Sequence, residues 1–361
     1  MYEMASPPIL SLPVELFDLI VGSLSMDDQM SLLTVSREFH RVMQPRVYAN
    51  IVLNSKRRAG KFKRFFKKHP ALAIRVTGLT VDATLQNPPR YSSRLEPPPE
   101  LWKTLKVCHV LEDLESLQTL HLKMPNIDEE EHDDRFDPMA VSWREDETKL
   151  ESAFARATDV FRASSERRLL PNLTSLCLYT QMLGYSRCDL PGLSIFFIPT
   201  LRKLEIANYD VGECTTWGNG GYLYLGDEHR QSTALEYLRF DNCLLNGRAL
   251  SRILECPRAL KTLALTHSDP HPRFDKDFTS GFWYADELTG ALKTQRESLE
   301  VFEMFGGKTD DGVDWKLNGT LDLTAMECLR TVRLLRCGSR LPEGKIVLGS
   351  RARLVDFNMD F

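Results

Sequence analysis

The stretch that decides the fold, residues 235–245, reads LEYLRFDNCLL. Apolar residues occupy its first, fourth and sixth positions, which are Leu235, Leu238 and Phe240. Successive side chains of a β-strand point to opposite faces, so Leu238 and Phe240 share one face and Arg239 points to the other. The segment therefore predicts a short strand with one buried face and one open face.

The same spacing of apolar residues recurs along most of the chain. It is found at Val76-Leu79-Val81, Leu117-Leu120-Leu122, Leu173-Leu176-Leu178, Leu201-Leu204-Ile206, Leu235-Leu238-Phe240, Leu260-Leu263-Leu265, Leu299-Phe302-Met304 and Leu329-Val332-Leu334, with a weaker copy at Leu354-Phe357-Met359. From residue 201 onward, successive copies begin 25 to 39 residues apart. Self-similarity on this scale is typical of a repeat architecture, so we expect one strand from each copy.

The repeated unit resembles a leucine-rich repeat. Residues 235–245 fit the form LxxLxLxx(N/C)xL, and residues 329–337 fit it through Cys337. The resemblance implies an irregular α/β solenoid in which each strand–helix unit buries its apolar face by stacking on its neighbours. Amphipathic helices are expected around Leu111, Phe154, Leu250 and Leu288. A small polar group at the Cys243 position can bond the backbone of the turn, which favours a structural role over catalysis or metal binding.

Insertions interrupt the repeats near residues 84–100, 125–148, 209–233 and 268–281. The first is rich in proline and the second is strongly acidic. The third contains Trp217 within a glycine-rich run, and the fourth holds Pro270 and Pro272. Loops of this length in a compact domain are usually functional or disordered. We expect them to project from the edges of the solenoid, near a bound partner.

A different pattern precedes the repeats in residues 12–48, LPVELFDLIVGSLSMDDQMSLLTVSREFHRVMQPRVY. The apolar residues of the first helix, which Pro13 opens, cover roughly 220° of its circumference, more than one core requires. Ser25 and Asp28 have the spacing of a capping box at the start of a second helix, and Ser36 marks the break before a third. So short a segment is not expected to be stable alone, so its excess apolar surface predicts a protein partner.

This N-terminal segment resembles an F-box. The resemblance rests on Leu12-Pro13, Glu15-Leu16, Ile20, Leu24, Asp28, Leu32, Val35-Ser36-Arg37, Phe39, Pro45 and Tyr48, taken in order. Gln29 and Thr34 stand where the family often has apolar residues, and Phe39 stands where many members have Trp. F-box proteins of this kind recruit targets to SCF ubiquitin ligases by binding a Skp-family adaptor, which connects to a cullin. The resemblance implies that the adaptor contacts are Leu12, Pro13, Leu16, Ile20, Leu24, Leu32, Leu33 and Val35.

The composition is typical of a soluble globular protein. The chain has 361 residues, 42% of them hydrophobic, and a net charge of -4, so its overall charge favours neither nucleic acid nor an anionic membrane as partner. No apolar run is long enough to span a bilayer, and the first eleven residues do not resemble a signal peptide. We therefore expect a cytoplasmic or nuclear protein whose eight cysteines are reduced.

Two partial motifs fall short of supporting chemistry. The segment Gly306-Gly307-Lys308-Thr309 lacks the earlier glycine of a phosphate-binding loop, because Phe302 occupies that place. His267 and His271 are four residues apart, but Pro270 between them predicts a loop instead of a helix that would bring both to one metal ion. No nucleophile motif accompanies them. We expect no enzymatic activity, no cofactor and no metal site.

The basic run at residues 56–69 offers the sharpest alternative, with eight lysines and arginines. Such a run is typical of nuclear-import signals and of patches that bind phosphate groups. Phe62, Phe65 and Phe66 have helical spacing, however, and surface helices normally set a charged face opposite an apolar one. We interpret the run as the helix before the strand at Val76, with its phenylalanines packed and its lysines solvated. Nucleic acid is accordingly not an expected partner.

The face of the sheet opposite the core is the predicted target-binding surface. Its candidates are His121, Cys177, Glu205, Arg239, Ala264, Glu303 and Arg333 between the fourth and sixth positions, Tyr179 and Phe305 two places later, and Trp217 in the third insertion. Aromatic residues contribute strongly to protein–protein binding, which makes Tyr179, Phe305 and Trp217 the favoured anchors.

The sequence thus predicts an F-box at residues 1–50 followed by a degenerate solenoid at residues 51–361. A fungal-type F-box protein with leucine-rich repeats would be a non-catalytic substrate receptor, which holds an unidentified target protein near the ubiquitin-carrying enzyme. Two alternatives stay open. The chain could serve as an adaptor-bound scaffold that directs no degradation, or it could bind phosphate groups or nucleic acid through residues 56–69.

Overall fold

The computed structural model describes residues 8–84, 107–124, 150–158, 168–180, 188–190, 193–211, 230–243, 245, 247–267, 283–306, 317–336 and 346–358. Its main feature is an open sheet of ten parallel strands in the order β1-β2-β3-β4-β6-β8-β9-β11-β14-β16. The strands are β1 Asn50–Leu53, β2 Gly78–Asp82, β3 Thr119–Met124, β4 Ser175–Thr180, β5 Cys188–Asp189, β6 Lys203–Ala207, β7 Tyr209–Asp210, β8 Tyr237–Asp241, β9 Thr262–His267, β10 Trp283–Tyr284, β11 Val301–Gly306, β12 Leu317–Asn318, β13 Leu321–Leu323, β14 Thr331–Arg336, β15 Ile346–Leu348 and β16 Arg353–Asn358. The short pairs β5–β7, β10–β12 and β13–β15 form small parallel sheets.

The sheet is held in register by apolar side chains on one face. One row joins Ile51, Leu79, Leu120, Leu176, Leu204, Leu238, Leu263, Phe302, Val332 and Leu354 as direct partners on successive strands. Every member from Leu79 to Val332 is buried. A slip of one residue would move an apolar set to the opposite face, so burial of this row fixes the register.

Three helices precede the first strand, and later helices connect strands on the buried side of the sheet. The helices are α1 Val14–Gly22, α2 Met26–Leu32, α3 Arg37–Ala49, α4 Lys56–Lys68, α5 Pro70–Ala73, α6 Val107–Asp113, α7 Gly247–Leu254 and α8 Ala285–Lys293. Residues 150–157 are also helical, and Pro8–Ser11 and Leu193–Phe197 form 3₁₀ turns. Parallel neighbours require a crossover between strands, and the helical segments from α4 onward lie in such crossovers. Among the described residues, no helix combines the length and apolarity needed to cross a membrane.

The described residues form two hydrophobic cores. The larger one joins the inward face of the sheet to α4, α6, α7, α8 and residues 150–157. The smaller one lies within α1, the end of α2 and α3, and consists of Phe17, Val21, Leu33, Phe39, Met43 and Val47. The three N-terminal helices therefore pack around a core of their own.

Asparagines shape the turns after two central strands. Asn208 and Asn242 adopt the left-handed conformation, with φ of 64° and 54°, which asparagine tolerates better than most residues. The Asn242 side-chain amide donates to Asn208 Oδ1 at 2.7 Å, and the Asn208 amide donates to the Thr180 carbonyl at 2.7 Å. The Cys243 thiol also donates to the Ile206 carbonyl of β6 at 3.4 Å, a structural contact with the neighbouring strand. The two asparagines were not predicted from the sequence.

Most sequence-based expectations for the elements are confirmed. The mixed α/β class, eight of the predicted strands and the helices around Leu111, Phe154, Leu250 and Leu288 are present. Two points are corrected. The sheet begins earlier, at β1, whose copy of the pattern, Tyr48-Ile51-Leu53, was not among those predicted. In the last strand Leu354 pairs with Val332 instead of occupying the place of Leu329, so the alignment of this copy was wrong by three residues.

The predicted insertions lie wholly or mostly outside the described residues. Residues 85–100, 125–148, 212–229 and 268–281 lie outside the described residues. Of the segment 209–233, Tyr209 is buried and pairs with Cys188 through the short strands β7 and β5. Its hydroxyl donates to the sulfur of Met124 at 3.3 Å. Tyr209 therefore belongs to the core of the sheet.

Replacing Leu204 with alanine should destabilise the chain strongly. Leu204 is fully buried in the middle of the apolar row, so its truncation leaves a cavity and should lower the free energy of unfolding by about 2–5 kcal/mol. Leu354 belongs to the same row but is 45% exposed at the end strand, so Leu354→Ala should cost less than about 1 kcal/mol. Urea unfolding followed by circular dichroism measures both values. Equal losses in the two variants would contradict this account of the sheet.

Candidate functional site

Two serines set the boundaries of the N-terminal helices. The Ser25 hydroxyl accepts from the backbone N–H of Asp28 at 3.2 Å and donates to the Asp28 carboxylate at 2.6 Å. The Ser36 hydroxyl accepts from the backbone N–H of Phe39 at 3.1 Å. Each bond satisfies an N–H that a helix leaves free at its start. The three predicted helices and the serines that begin α2 and α3 are therefore confirmed.

A polar residue holds α1 and α2 together. The Gln29 side-chain amide donates to the carbonyls of Val21 and Leu24, at 3.0 and 3.2 Å. These carbonyls lie at and just after the end of α1, and the Val21 carbonyl also accepts from the backbone N–H of Leu24 at 3.1 Å. The polar residue at position 29 therefore has a structural reason that was not predicted from the sequence.

Arg46 joins α3 to α1. Its guanidinium forms an ion pair with the Asp18 carboxylate at 2.6 Å and lies 5.0 Å from the centre of the Phe17 ring. A cation over an aromatic ring is attracted by the ring quadrupole. Arg46 thus orients α1 so that Phe17 and Val21 enter the small core. The remaining sides of α1 are left to solvent.

Large apolar residues are exposed on these helices. The exposed apolar set consists of Leu12, Val14, Leu16, Leu19, Ile20, Met30 and Val35. Leu16, Leu19 and Ile20 share one side of α1, since residues three and four apart on a helix are neighbours. Leu19 is 70% exposed and Val35 is 62% exposed. This concentration of apolar surface marks a candidate protein-binding site.

The predicted adaptor contacts differ in their accessibility. Leu12, Pro13, Leu16, Ile20 and Val35 are exposed, whereas Leu24 and Leu32 are half-buried. Leu33 is buried in the small core. In this conformation Leu33 therefore supports the helices from inside, and it can reach a partner only if the helices rearrange. Val14, Leu19 and Met30 are exposed residues that were not among the predicted contacts.

The second candidate site is the open face of the sheet, which the described helices leave uncovered. One row across it joins Val52, Thr80, His121, Cys177, Glu205, Arg239, Ala264, Glu303, Arg333 and Val355 in register. A parallel row two residues later contains Lys123, Tyr179, Ala207, Asp241, Thr266 and Phe305. The parallel register thus brings the predicted target-binding positions of seven strands onto one face of the sheet.

Most of the charged side chains on the open face form ion pairs with each other. Arg333 pairs with Glu303 on the neighbouring strand. Arg239 pairs with Asp241 at 2.9 Å, and Lys203 pairs with Glu205 at 3.0 Å. Exposed pairs of this kind contribute little to stability but fix where each charge stands. The face therefore presents an ordered pattern of both signs, without a net excess from these pairs.

His121 and Cys177 are neighbours in register on this face. Burial lowers the pKa of the His121 imidazole, which Glu205 opposes and Lys203 lowers further. Burial together with Glu205 raises the pKa of the Cys177 thiol. Both groups therefore favour their neutral forms near neutral pH. They offer hydrogen bonds and apolar contact at this place.

Three predicted target-binding positions, Ala264, Phe305 and Trp217, differ from the others in burial or in how far they are described. Ala264 is buried between Arg239 and Glu303, so its predicted place on the accessible surface was wrong. The backbone of Phe305 lies in register with Thr266, while Trp217 lies outside the described residues.

No described cluster of side chains suits a metal ion. Groups of three or more histidine, cysteine, aspartate or glutamate residues at ligand distance are absent from the described part of the chain. Burial and the nearby Glu255 raise the pKa of the Cys256 thiol to about 12, so it stays protonated.

Comparisons with models of protein families and with curated proteins found no match for this chain. The two surfaces are therefore the features from which a function can be proposed.

The pKa of His121 should lie below the ordinary histidine value of about 6.5. Because burial disfavours the charged form, the unfolded chain binds the proton more readily than the folded one. This group therefore costs stability as the pH falls from about 7 through 6.5 toward its lowered folded pKa. NMR titration of the ring protons measures the midpoint, and His121→Gln should reduce the loss of stability in that pH range. A midpoint above 6.5 would contradict the effect of burial.

Proposed function

We propose that the chain is the substrate-recognition subunit of an SCF-type ubiquitin ligase. In this proposal α1–α3 act as an F-box that binds a Skp-family adaptor and, through it, a cullin. The ten-stranded sheet and its crossover helices act as an irregular leucine-rich-repeat solenoid that binds a target protein. The resemblance of residues 12–48 to an F-box and the parallel repeated strands support these assignments.

The exposed apolar set is the observation that carries the proposal. Of the eleven large apolar residues that are exposed in the described part of the chain, seven lie between residues 12 and 35. That segment is about a tenth of the described residues. The small core beneath it already contains Phe17, Val21 and Leu33, so the exposed residues are not needed to complete that core. Their concentration favours a partner that covers α1 and the start of α3.

Burial of this set would provide the driving force for adaptor binding. Moving one leucine or isoleucine side chain from water to a packed interior contributes about 1.5–3 kcal/mol. Leu16 and Ile20 are both partly exposed on one side of α1, so a partner gains by covering them together. Asp18 is held by Arg46 on the other side of Phe17, which keeps the charge away from the apolar contact.

The open face of the sheet is the proposed target site. At about 4.8 Å between strands, ten strands span roughly 43 Å, enough to contact a folded protein. Tyr179 and Tyr237 add aromatic surface among the charged pairs, and both are half-buried. Lys203 lies 5.3 Å from the centre of the Tyr237 ring. A target with charges of both signs in a matching order suits this face better than a uniformly acidic or basic one.

The mechanism would be one of proximity. Holding a target and the ubiquitin-carrying enzyme in one complex raises their effective concentration without any chemistry in this chain. The pattern of neutral His121 and Cys177 on the open face is compatible with binding alone. A scaffold that binds the adaptor without directing degradation would use the same two surfaces, so a measurement of target stability must separate the two functions.

Replacing Leu16 and Ile20 with alanine should abolish adaptor binding. The double variant removes two exposed contacts while Phe17 and Val21 keep the small core intact. We expect affinity for a recombinant Skp-family adaptor to fall by at least about 100-fold, because two buried leucine-sized contacts are lost. Isothermal titration with the full chain measures the change.

The matched control is the double variant Val347→Ala and Leu354→Ala. These residues are exposed to a similar extent, at 42% and 45%. Leu354 lies on β16, at the other end of the ten-stranded sheet, and Val347 lies on β15 in the small β13–β15 sheet. The control should bind the adaptor as tightly as the parent chain. Adaptor binding that survives the change at Leu16 and Ile20, or that is lost equally in the control, would refute the assignment of α1.

Exchanging the charges of the Glu303–Arg333 pair should release the target but not the adaptor. The variant Glu303→Lys with Arg333→Glu keeps an ion pair on the face and reverses its pattern. An equivalent exchange at Glu112 and Arg156, which pair at 2.6 Å on the helical side, serves as control. Proteins captured from cells with the parent chain and the control, and missing from the face variant, are target candidates.

Proteasome inhibition separates the receptor from the scaffold. For a receptor, a captured partner should accumulate when the proteasome is inhibited and when Leu16 and Ile20 are replaced. For a scaffold, the partner level should stay unchanged in both cases. If the face variant retains every captured protein, the open face is not the target site.

A further inference from the structure

The positive charge of the chain is concentrated around α4. Residues 39–81 contain eleven lysines and arginines and no aspartate or glutamate. Since the whole chain has a net charge of -4, the remainder carries -15, the difference between -4 and +11. The overall charge therefore conceals a strongly basic region at one edge of the sheet, where α4 follows β1.

Four of these cations form a line along α4. The basic row consists of Arg57, Lys61, Arg64 and Lys68, which are separated by four, three and four residues. That spacing places them on one side of the helix, over about 16 Å of its length. All four are exposed. Phe62 and Phe66 are buried in the sheet core on the opposite side, so the row faces solvent.

The packing of α4 explains its phenylalanines but not its cations. The first turn contains Arg57 and Arg58 and no acidic residue, although the N-terminus of a helix favours negative charge. Like charges three and four residues apart also weaken a helix. The Ser55 hydroxyl, which accepts from the N–H of Arg58 at 3.3 Å, is the cap that holds this turn. Apart from Lys68, which stands in the last turn where a cation is favoured, the row therefore opposes the stability of the helix that carries it.

The basic row is not neutralised by the described residues. No ion pair joins Arg57, Lys61, Arg64 or Lys68 to a carboxylate within them. Arg64 donates to the Gly60 carbonyl of its own helix, at 3.1 Å. By contrast, Arg202, Lys261, Arg296 and Arg330 elsewhere on the surface each pair with a glutamate. The row is thus available to an external anion.

We propose that the basic row binds the phosphate backbone of nucleic acid without reading its sequence. A line of cations gains affinity from nucleic acid because each neutralised phosphate releases condensed counterions. The row includes no exposed apolar or aromatic anchor of the kind that a protein interface needs at its centre. The apolar side of α4 is buried, so the helix cannot insert into a membrane.

The nearby aromatic residues support binding without base recognition. The Phe65 ring stacks on Tyr48 at 5.2 Å between centroids and lies 4.8 Å from the His69 ring. The Tyr48 and His69 rings therefore already pack against the Phe65 ring, so a nucleotide base cannot stack on it there. Contacts are left to phosphates, which carry no direct sequence information. This binding is independent of the proposed ligase function.

The salt dependence of binding tests the proposal. The probe is a fluorescent 20-nucleotide single-stranded oligouridine, with fluorescence anisotropy as readout and the full chain as protein. For about four neutralised phosphates, the slope of log K against log salt is about -2.8, which is about a 50-fold loss between about 50 and 200 mM salt. The variant with Arg57, Lys61, Arg64 and Lys68 changed to glutamine should lose most of the affinity and of the slope. A mixed-sequence oligonucleotide should bind as tightly as oligouridine.

The matched control changes Arg202, Lys261, Arg296 and Arg330 to glutamine, an equal loss of charge. It should keep the parent slope. Circular dichroism should show that the variant with all four cations of the basic row replaced keeps the helix content of the parent chain. If that variant fails to fold, the smaller variant Lys61→Gln with Arg64→Gln should halve the slope of log K against log salt. Absence of binding at about 50 mM salt, an equal loss in the control, or tighter binding to a poly-glutamate peptide or to phosphatidylserine vesicles than to RNA would overturn the proposal.

Discussion

The in-register pairing of equivalent apolar positions on neighbouring strands is the constraint on which the rest of the structure depends. Each strand of the large sheet places one apolar residue of the inward row beside that of its neighbour, from Leu79 to Val332. No single strand–helix unit can bury this face alone, so stability comes from the contact between units. The same register that buries Leu204 also orders Glu205 and Arg239 on the open face. Core packing and surface pattern therefore have one cause.

The N-terminal helices obey a different rule. Their small core is complete with six buried residues, yet the surface around it stays strongly apolar. Leu16, Leu19 and Ile20 remain in water after this segment has folded. A partner that buries them therefore gains favourable free energy of binding from the hydrophobic effect. This is why the proposed adaptor site lies there. The open face of the sheet, whose charges are mostly paired, suits selective contact with a target instead.

Electrostatics distinguishes the open face from α4. On the open face, pairs such as Arg239–Asp241 and Lys203–Glu205 neutralise each other within one strand. On α4, the basic row stands without such partners among the described residues, at a cost to the helix. A net charge of -4 averages these regions and hides the difference. The helix was predicted correctly, including its packed phenylalanines and solvated lysines, while the lack of described carboxylate partners for the basic row became visible only in the fold.

The sequence by itself determined the strands, the helices and the inward positions, because periodic apolar residues report burial directly. It also placed Ser25 and Ser36 at helix starts through local chemistry that spans three residues. Tertiary structure alone decided that Leu33 is buried, that Ala264 is buried, and that β1 pairs at the edge of the sheet. It likewise revealed why Gln29 is polar and why Asn208 and Asn242 follow their strands. These outcomes depend on contacts between residues distant in the chain, which no local pattern encodes.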